Sequence, residues 1–140
     1  GLAEQGFPVA LVEKEPVLGG FARQLHHTIE GNDIPAYVAQ LTASVTANDR
    51  VEVFTDAHIV GFEGFKGSFA TEIVCGGDGP RKRIEHGIYI VATGATEYKP
   101  KEFLFGEDER VVTQVDLGHR LETEGAGGLD SVVMIVGISE

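Results

Sequence analysis

Apolar positions along this chain fall into two kinds of run. The first kind is short and continuous: residues 8–12 (Pro-Val-Ala-Leu-Val), 87–92 (with Ile88, Tyr89, Ile90 and Val91) and 132–136 (Val-Val-Met-Ile-Val). Runs of this length without alternation predict strands covered on both faces, as in a parallel sheet. The second kind is periodic: Ile34, Tyr37, Val38, Leu41 and Val45 recur at helical spacing, which predicts a helix with one buried face. Asn32 or Asp33 can cap that helix, Pro35 suits its first turn, and it should end near Asn48.

Between the helix and the second continuous run lie β-type segments at 51–55, 58–62, 68–74 and 81–85. They are separated by turns such as Gly64-Phe65-Lys66-Gly67 and residues 75–80. Short strands with tight turns predict an antiparallel meander, about residues 51–86. Residues 1–6 read as a helix tail with Gly6 at its C-terminal cap. Val111-Val112 reads as a short strand, Thr113 as the cap of a helix running to Glu122, and the glycines of 125–128 as a break. The order is helix tail, strand, helix, meander, strand, helix, strand. That predicts an α/β fold in which parallel-type strands flank an inserted antiparallel meander.

Composition narrows the functional classes. The chain has 140 residues, 42% of them hydrophobic, and 19 glycines. That is enough apolar material for a core, and the scattered glycines suit tight turns and close ligand approach. The net charge of −11 repels phosphate backbones and anionic lipid, which argues against nucleic acid and membrane surfaces as partners. No apolar run has the length of a membrane span and no secretory signal is evident, so cytoplasm is the expected compartment. Cys75 is alone, so no dithiol chemistry can operate inside this segment. The five histidines are not spaced as metal ligands and no Ser-His-Asp arrangement has a local signature, so neither a metal site nor a catalytic side chain is expected.

The candidate chemistry is that of a dinucleotide site. Glu13 follows the first continuous run, where a carboxylate offers two acceptor oxygens to the vicinal hydroxyls of an adenosine ribose. An exposed strand-end glutamate is the competing reading, and Glu15 is the competing ligand if the register differs by two. Lys14 can lie against an adenine or a phosphate, or stay solvated. Gly19 and Gly20 let backbone approach a ligand or adopt positive φ. Arg23 and Gln24, immediately after them, are within sequence reach of a pyrophosphate or flavin. The third signal is Ile90-Val91-Ala92-Thr93-Gly94-Ala95, a buried-type strand ending in a small residue, a hydroxyl and a glycine. At the carboxyl edge of an α/β sheet such an ending borders ligands, although a plain strand-to-turn passage reads equally well.

Taken together, these motifs resemble a known family. Val-Glu-Lys-Glu-Pro at 12–16, Gly19-Gly20 and Ile-Val-Ala-Thr-Gly-Ala-Thr-Glu-Tyr-Lys-Pro at 90–100 are similar to the FAD domain of thioredoxin-reductase-like flavoproteins. They resemble in particular the family formed by the A subunits of heterodisulfide reductases, as do Phe105-Gly106, Val111-Val112-Thr113-Gln114 and Val132-Val133-Met134-Ile135.

The resemblance implies a partial three-layer, Rossmann-like FAD/NAD(P)-binding domain over residues 1–140, with a further strand beginning in 131–140. The family's first strand and its Gly-rich pyrophosphate turn would precede Gly1. It implies that Glu13 binds the FAD ribose and Lys14 lies near the adenine. Gly19, Gly20 and Gln24 would line the pyrophosphate–flavin side. Ala57 and His58 would offer backbone groups to the adenine edge, and Thr93 and Gly94 would close over the cofactor. The parent protein would then be a flavin-dependent oxidoreductase passing electrons between FAD, iron–sulfur clusters held outside this segment, and heterodisulfide reductase, hydrogenase or ferredoxin-type subunits. FAD binding by the segment alone is expected to be weak or absent, and the segment alone inactive. An open apolar edge at 8–12 predicts self-association or a segment swap. Two other classes fit the same residues: a non-catalytic module for contacts between subunits, and the NAD(P)H-binding domain of a disulfide oxidoreductase.

Overall fold

The computed structural model describes residues 1–137. They form two compact units, Gly1–Glu97 and a second beginning at Tyr98. In the first unit, β1 (Val9–Val12) leads through a loop and a short 3-10 turn (Gly20–Gln24) into α1 (Ile34–Thr46) and then β2 (Val51–Phe54). Three strands follow, β3 (Ala57–Phe65), β4 (Ser68–Cys75) and β5 (Arg81–His86). The second unit contains α2 (Gln114–Glu124). The expected mixed α/β class, with parallel and antiparallel sheets, is the class observed, but the parallel pair precedes the meander and no parallel strand flanks it on the far side among the described residues.

β1 and β2 pair in parallel, Val9 beside Val51 and Val12 beside Phe54. This corrects the extent of the meander, which begins at Ala57 and not at Val51. The α1 crossover carries the chain back to the starting end of β1, so β2 must run in the same direction. Asp33 is the residue that caps α1, its Oδ1 accepting from the Ala36 N–H at 2.8 Å. Ile34, Val38 and Val45 are half-buried while Tyr37 and Leu41 are exposed, so the covered stripe is narrower than the spacing predicts.

β4 is the central strand of the meander, paired antiparallel with β3 and β5. The buried residues of this unit are Ala57, Ala70, Thr71, Ile73 and Val74, all but one of them on β4. The two faces of the meander differ. On one, Phe62 lies 5.3 Å from Phe69 and 5.2 Å from Tyr89, ring centroid to centroid, with His86 beside them. The Thr71 hydroxyl lies 2.8 Å from His86 Nε2, and His86 Nδ1 lies 3.0 Å from the Ile88 carbonyl. A carbonyl only accepts, so Nδ1 carries the proton, and in the neutral ring Nε2 accepts from Thr71. The other face carries Arg83–Glu63 at 2.6 Å and Arg81–Glu72 at 3.3 Å. Lys82 pairs with Glu52 of β2 and stands 4.3 Å over the Phe54 ring, which ties the meander to the parallel pair.

Several expected elements are absent among the described residues. Residues 1–6 form hydrogen-bonded turns and not a helix tail. Residues 87–92 and Val111-Val112 carry no strand pairing. The further strand expected in 131–140 is not formed over 131–137, and residues 138–140 lie outside the described ones. Val133 is 87% exposed and Ile88 75%. A continuous apolar run becomes a strand only beside a partner edge, and no described strand lies alongside either of these runs.

In the second unit, Thr113 caps α2 as expected, its hydroxyl accepting from the Asp116 N–H at 3.1 Å. Among the described residues of this unit, Thr113 and Val115 are the buried ones. Thr113→Ala is expected to destabilise this unit by about 1 kcal/mol, read as a lowered melting midpoint in circular dichroism. An unchanged midpoint would show that the cap contributes nothing.

Candidate functional site

The carboxyl ends of β1 and β2 lie side by side, and the chain closes them with backbone hydrogen bonds. The Glu13 N–H donates to the Phe54 carbonyl at 2.8 Å, and the Glu13 carbonyl accepts from the Ala57 N–H at 3.0 Å. Two residues further on, the Glu15 carbonyl accepts from the Asp56 N–H at 3.0 Å. Asp56 sits at φ 49, a left-handed conformation that aspartate tolerates better than most residues. The tip of β1 is thereby stitched both to the end of β2 and to the start of β3.

Glu13 is half-buried at this tip. Its Oε1 accepts from the Glu15 N–H at 2.9 Å, which holds the carboxylate against its own loop. A carboxylate has about four lone-pair directions, so this bond leaves acceptor capacity for a ligand. Lys14 is exposed, 3.8 Å from the Glu15 carboxylate. Such an exposed contact contributes little, and the ammonium remains available.

Gly19 and Gly20 follow at φ 112 and φ 47 and open the 3-10 turn, with Gln24 exposed at its far end. Of the residues singled out in the sequence, Glu13 and Ala57 are brought into direct contact. Ala57 is 2% exposed and its N–H is engaged by Glu13, so that donor is already used. His58 is exposed and pairs with Val74 in the β3–β4 ladder. Thr93 and Gly94 are exposed and lie outside any helix or strand, with Gly94 at φ 67. Among the described residues no hydrogen bond joins them to the Glu13 tip.

Sequence reasoning missed the Asp56 closure. Its available signal was the Thr-Asp-Ala step between two β-type runs, a common turn composition. A shallow concavity of about 540 Å³ lies elsewhere, at the hairpin end of the meander near Glu63, Phe65, Arg83 and His86, and it includes none of the expected cofactor residues. In the second unit Arg110 grips Asp108 at 2.6 Å and holds the pKa of its carboxyl down at about 2. No helix of the described residues is long and apolar enough to cross a membrane.

The fold is that of a parallel strand–helix–strand unit followed by an antiparallel meander. No family model matches the chain. Over 73 residues it is 37% identical to an iron-sulfur A subunit of CoB--CoM heterodisulfide reductase from Methanopyrus kandleri, the one numbered 2. It is 40% identical over the same length to the corresponding iron-sulfur protein of Methanocaldococcus jannaschii. Each match covers 51% of this chain and 11% of the relative, so the chain spans a small part of these relatives' length. Over about half of the chain, likeness to heterodisulfide reductase A subunits is thus present at 37 and 40% identity. Among solved structures, L-proline dehydrogenase from P. horikoshii superposes with a TM-score of 0.51 at 20% identity, covering 61% of this chain and 17% of that one. That likeness shows the fold.

Proposed function

We propose that this chain is the FAD-binding segment of a flavin-dependent electron-transfer oxidoreductase related to the heterodisulfide reductase A subunits. The observation that carries the reading is Glu13. It stands at the shared carboxyl end of two parallel strands, pre-oriented by the Glu15 N–H, where an adenosine ribose is bound in dinucleotide folds. The residues fit such a cofactor: an acceptor carboxylate with spare lone pairs, an available ammonium on Lys14, and a glycine turn after the strand. Bound FAD would supply the redox chemistry. The chain's own part is to bind and orient it, with no side-chain acid or nucleophile involved.

Under this reading Gln24, His58, Thr93 and Gly94 complete the cofactor surround in the full-length protein. Iron–sulfur clusters lie outside the segment, the compartment is cytoplasmic, and the partners are further redox subunits. The exposed apolar runs at 88–91 and 132–136 support an accompanying role in contacts between subunits, since surface of that kind is normally covered by further protein. The free edge of β1 supports self-association by the same logic.

The test is a spectrum and a titration. The full-length protein is expected to be yellow and flavin-loaded. The isolated 140-residue chain is expected to bind FAD weakly or not at all. In the full-length protein Glu13→Ala should weaken FAD by about 10- to 100-fold, the range for losing a hydrogen bond to a charged group. A colourless full-length protein that also refuses added FAD would overturn the proposal.

A further inference from the structure

We infer that His86 is a positioning residue: it clasps the chain as it leaves the meander and thereby sets where Thr93 and Gly94 lie. The inference rests on the flavin reading above, in which those two residues close over the cofactor. His86 ends β5 and lies across from Phe69 of β4. Its ring makes two different bonds. Nε2 accepts at 2.8 Å from the hydroxyl of Thr71, a residue only 4% exposed, and Nδ1–H donates to the Ile88 carbonyl at 3.0 Å. The first bond fixes the ring against β4, and the second draws the chain two positions on back toward the ring. Two further contacts hold the same short stretch. The Gly87 carbonyl accepts from the Gly67 N–H at 3.1 Å, and the Tyr89 ring lies 5.2 Å from that of Phe62 and 6.0 Å from that of His86.

Beyond this clasp the chain has no comparable hold. Residues 90–97 make no backbone hydrogen bond among the described residues, and Ile90 and Val91 are exposed. The direction of the run is therefore set at its start. Thr93 lies four residues past Tyr89, about 14 Å at full extension, so a change of angle at residues 87–89 displaces the Thr93-Gly94 step. An apolar side chain at position 86 would cover the neighbouring rings as well. What histidine adds is a donor and an acceptor on opposite sides of one rigid ring, which ties a buried hydroxyl to the departing backbone.

The experiment uses the full-length protein and two readouts, FAD titration and hydrogen exchange of the apoprotein. His86→Leu and His86→Asn both take the Nε2 acceptor from Thr71, so that loss is common to them. Asparagine alone keeps an N–H close to the place of Nδ1–H. His86→Leu should bind FAD about tenfold more weakly, the effect of one lost hydrogen bond. Its Gly67 amide should exchange about tenfold faster, because the Gly87 carbonyl no longer stays against it. His86→Asn should remain within about threefold of wild type on both readouts. Wild-type FAD affinity in His86→Leu overturns the inference, and so does equal weakening in the two variants, which traces the loss to Thr71. Faster exchange throughout β3, β4 and β5 in His86→Leu also overturns it, since a residue that merely holds the meander together behaves that way. If the wild-type protein takes no FAD, the flavin reading falls and the role toward Thr93 and Gly94 falls with it, while Gly67 exchange still decides whether the clasp exists.

Discussion

Ile73→Ala is expected to destabilise the first unit by about 3 kcal/mol, within the range for truncating a buried branched side chain. Ile73 has no exposed surface and sits mid-strand on β4, between Ile59 of β3 and Lys82 of β5 in the ladder. Truncation removes its transfer free energy and leaves a hole, because both flanking strands are held in place by their own hydrogen bonds. Domains of this size are stable by only ~5–15 kcal/mol, so the loss is a large share of the total. Urea denaturation reads it as a lower midpoint at unchanged slope. A loss under about 2 kcal/mol, the low end for such truncations, would mean that the meander does not provide the core of this unit. The consequence reaches the site, since β3 begins at Ala57, whose N–H holds the Glu13 carbonyl.

Gly64→Ala is expected to cost a similar amount by a different route. A Cβ on Gly64 would stand 2.2 Å from the Ser68 carbonyl oxygen and 2.9 Å from Phe69 Cα. Both are backbone atoms of the facing strand and cannot rotate aside. Gly64 also sits at φ 105, so the new side chain meets backbone strain as well as overlap. Together these are worth on the order of 3 kcal/mol. Because the damage is confined to the β3–β4 hairpin, hydrogen exchange should accelerate for the amides of that hairpin before those of β1 and β2. Unchanged stability would show that the hairpin can open without consequence.

Legibility from the sequence followed the range of each signal. The helix cap at Thr113, the α1 cap down to Asn32 or Asp33, and the glycine turn after β1 were readable, since each depends on residues within about four positions of one another. So were the strands at 9–12 and 68–75, where apolar residues run up to turn residues, and the one at 81–86, which follows the turn at 75–80. The partner of β2 was not readable. Val51 and Val53 flank Glu52 in an alternation that suits a parallel or an antiparallel neighbour equally, and only the α1 crossover decides between them. The runs at 88–91 and 132–136 failed as strands for the complementary reason. Their composition is strand-like, but a strand is a relation between two edges, and the described residues supply only one.

The same division holds at the candidate site. The sequence by itself determined the residue types: an acidic residue closing an apolar run, a glycine pair after it, and a net charge of −11. The tertiary structure decided which groups meet there. It joined Glu13 to Ala57, placed Asp56 in the closure, and turned the Glu13 carboxylate onto the Glu15 N–H. Residue chemistry is local and travels with the letter. Contact is non-local, because it depends on the loop closures and strand pairings that bring distant positions to one edge.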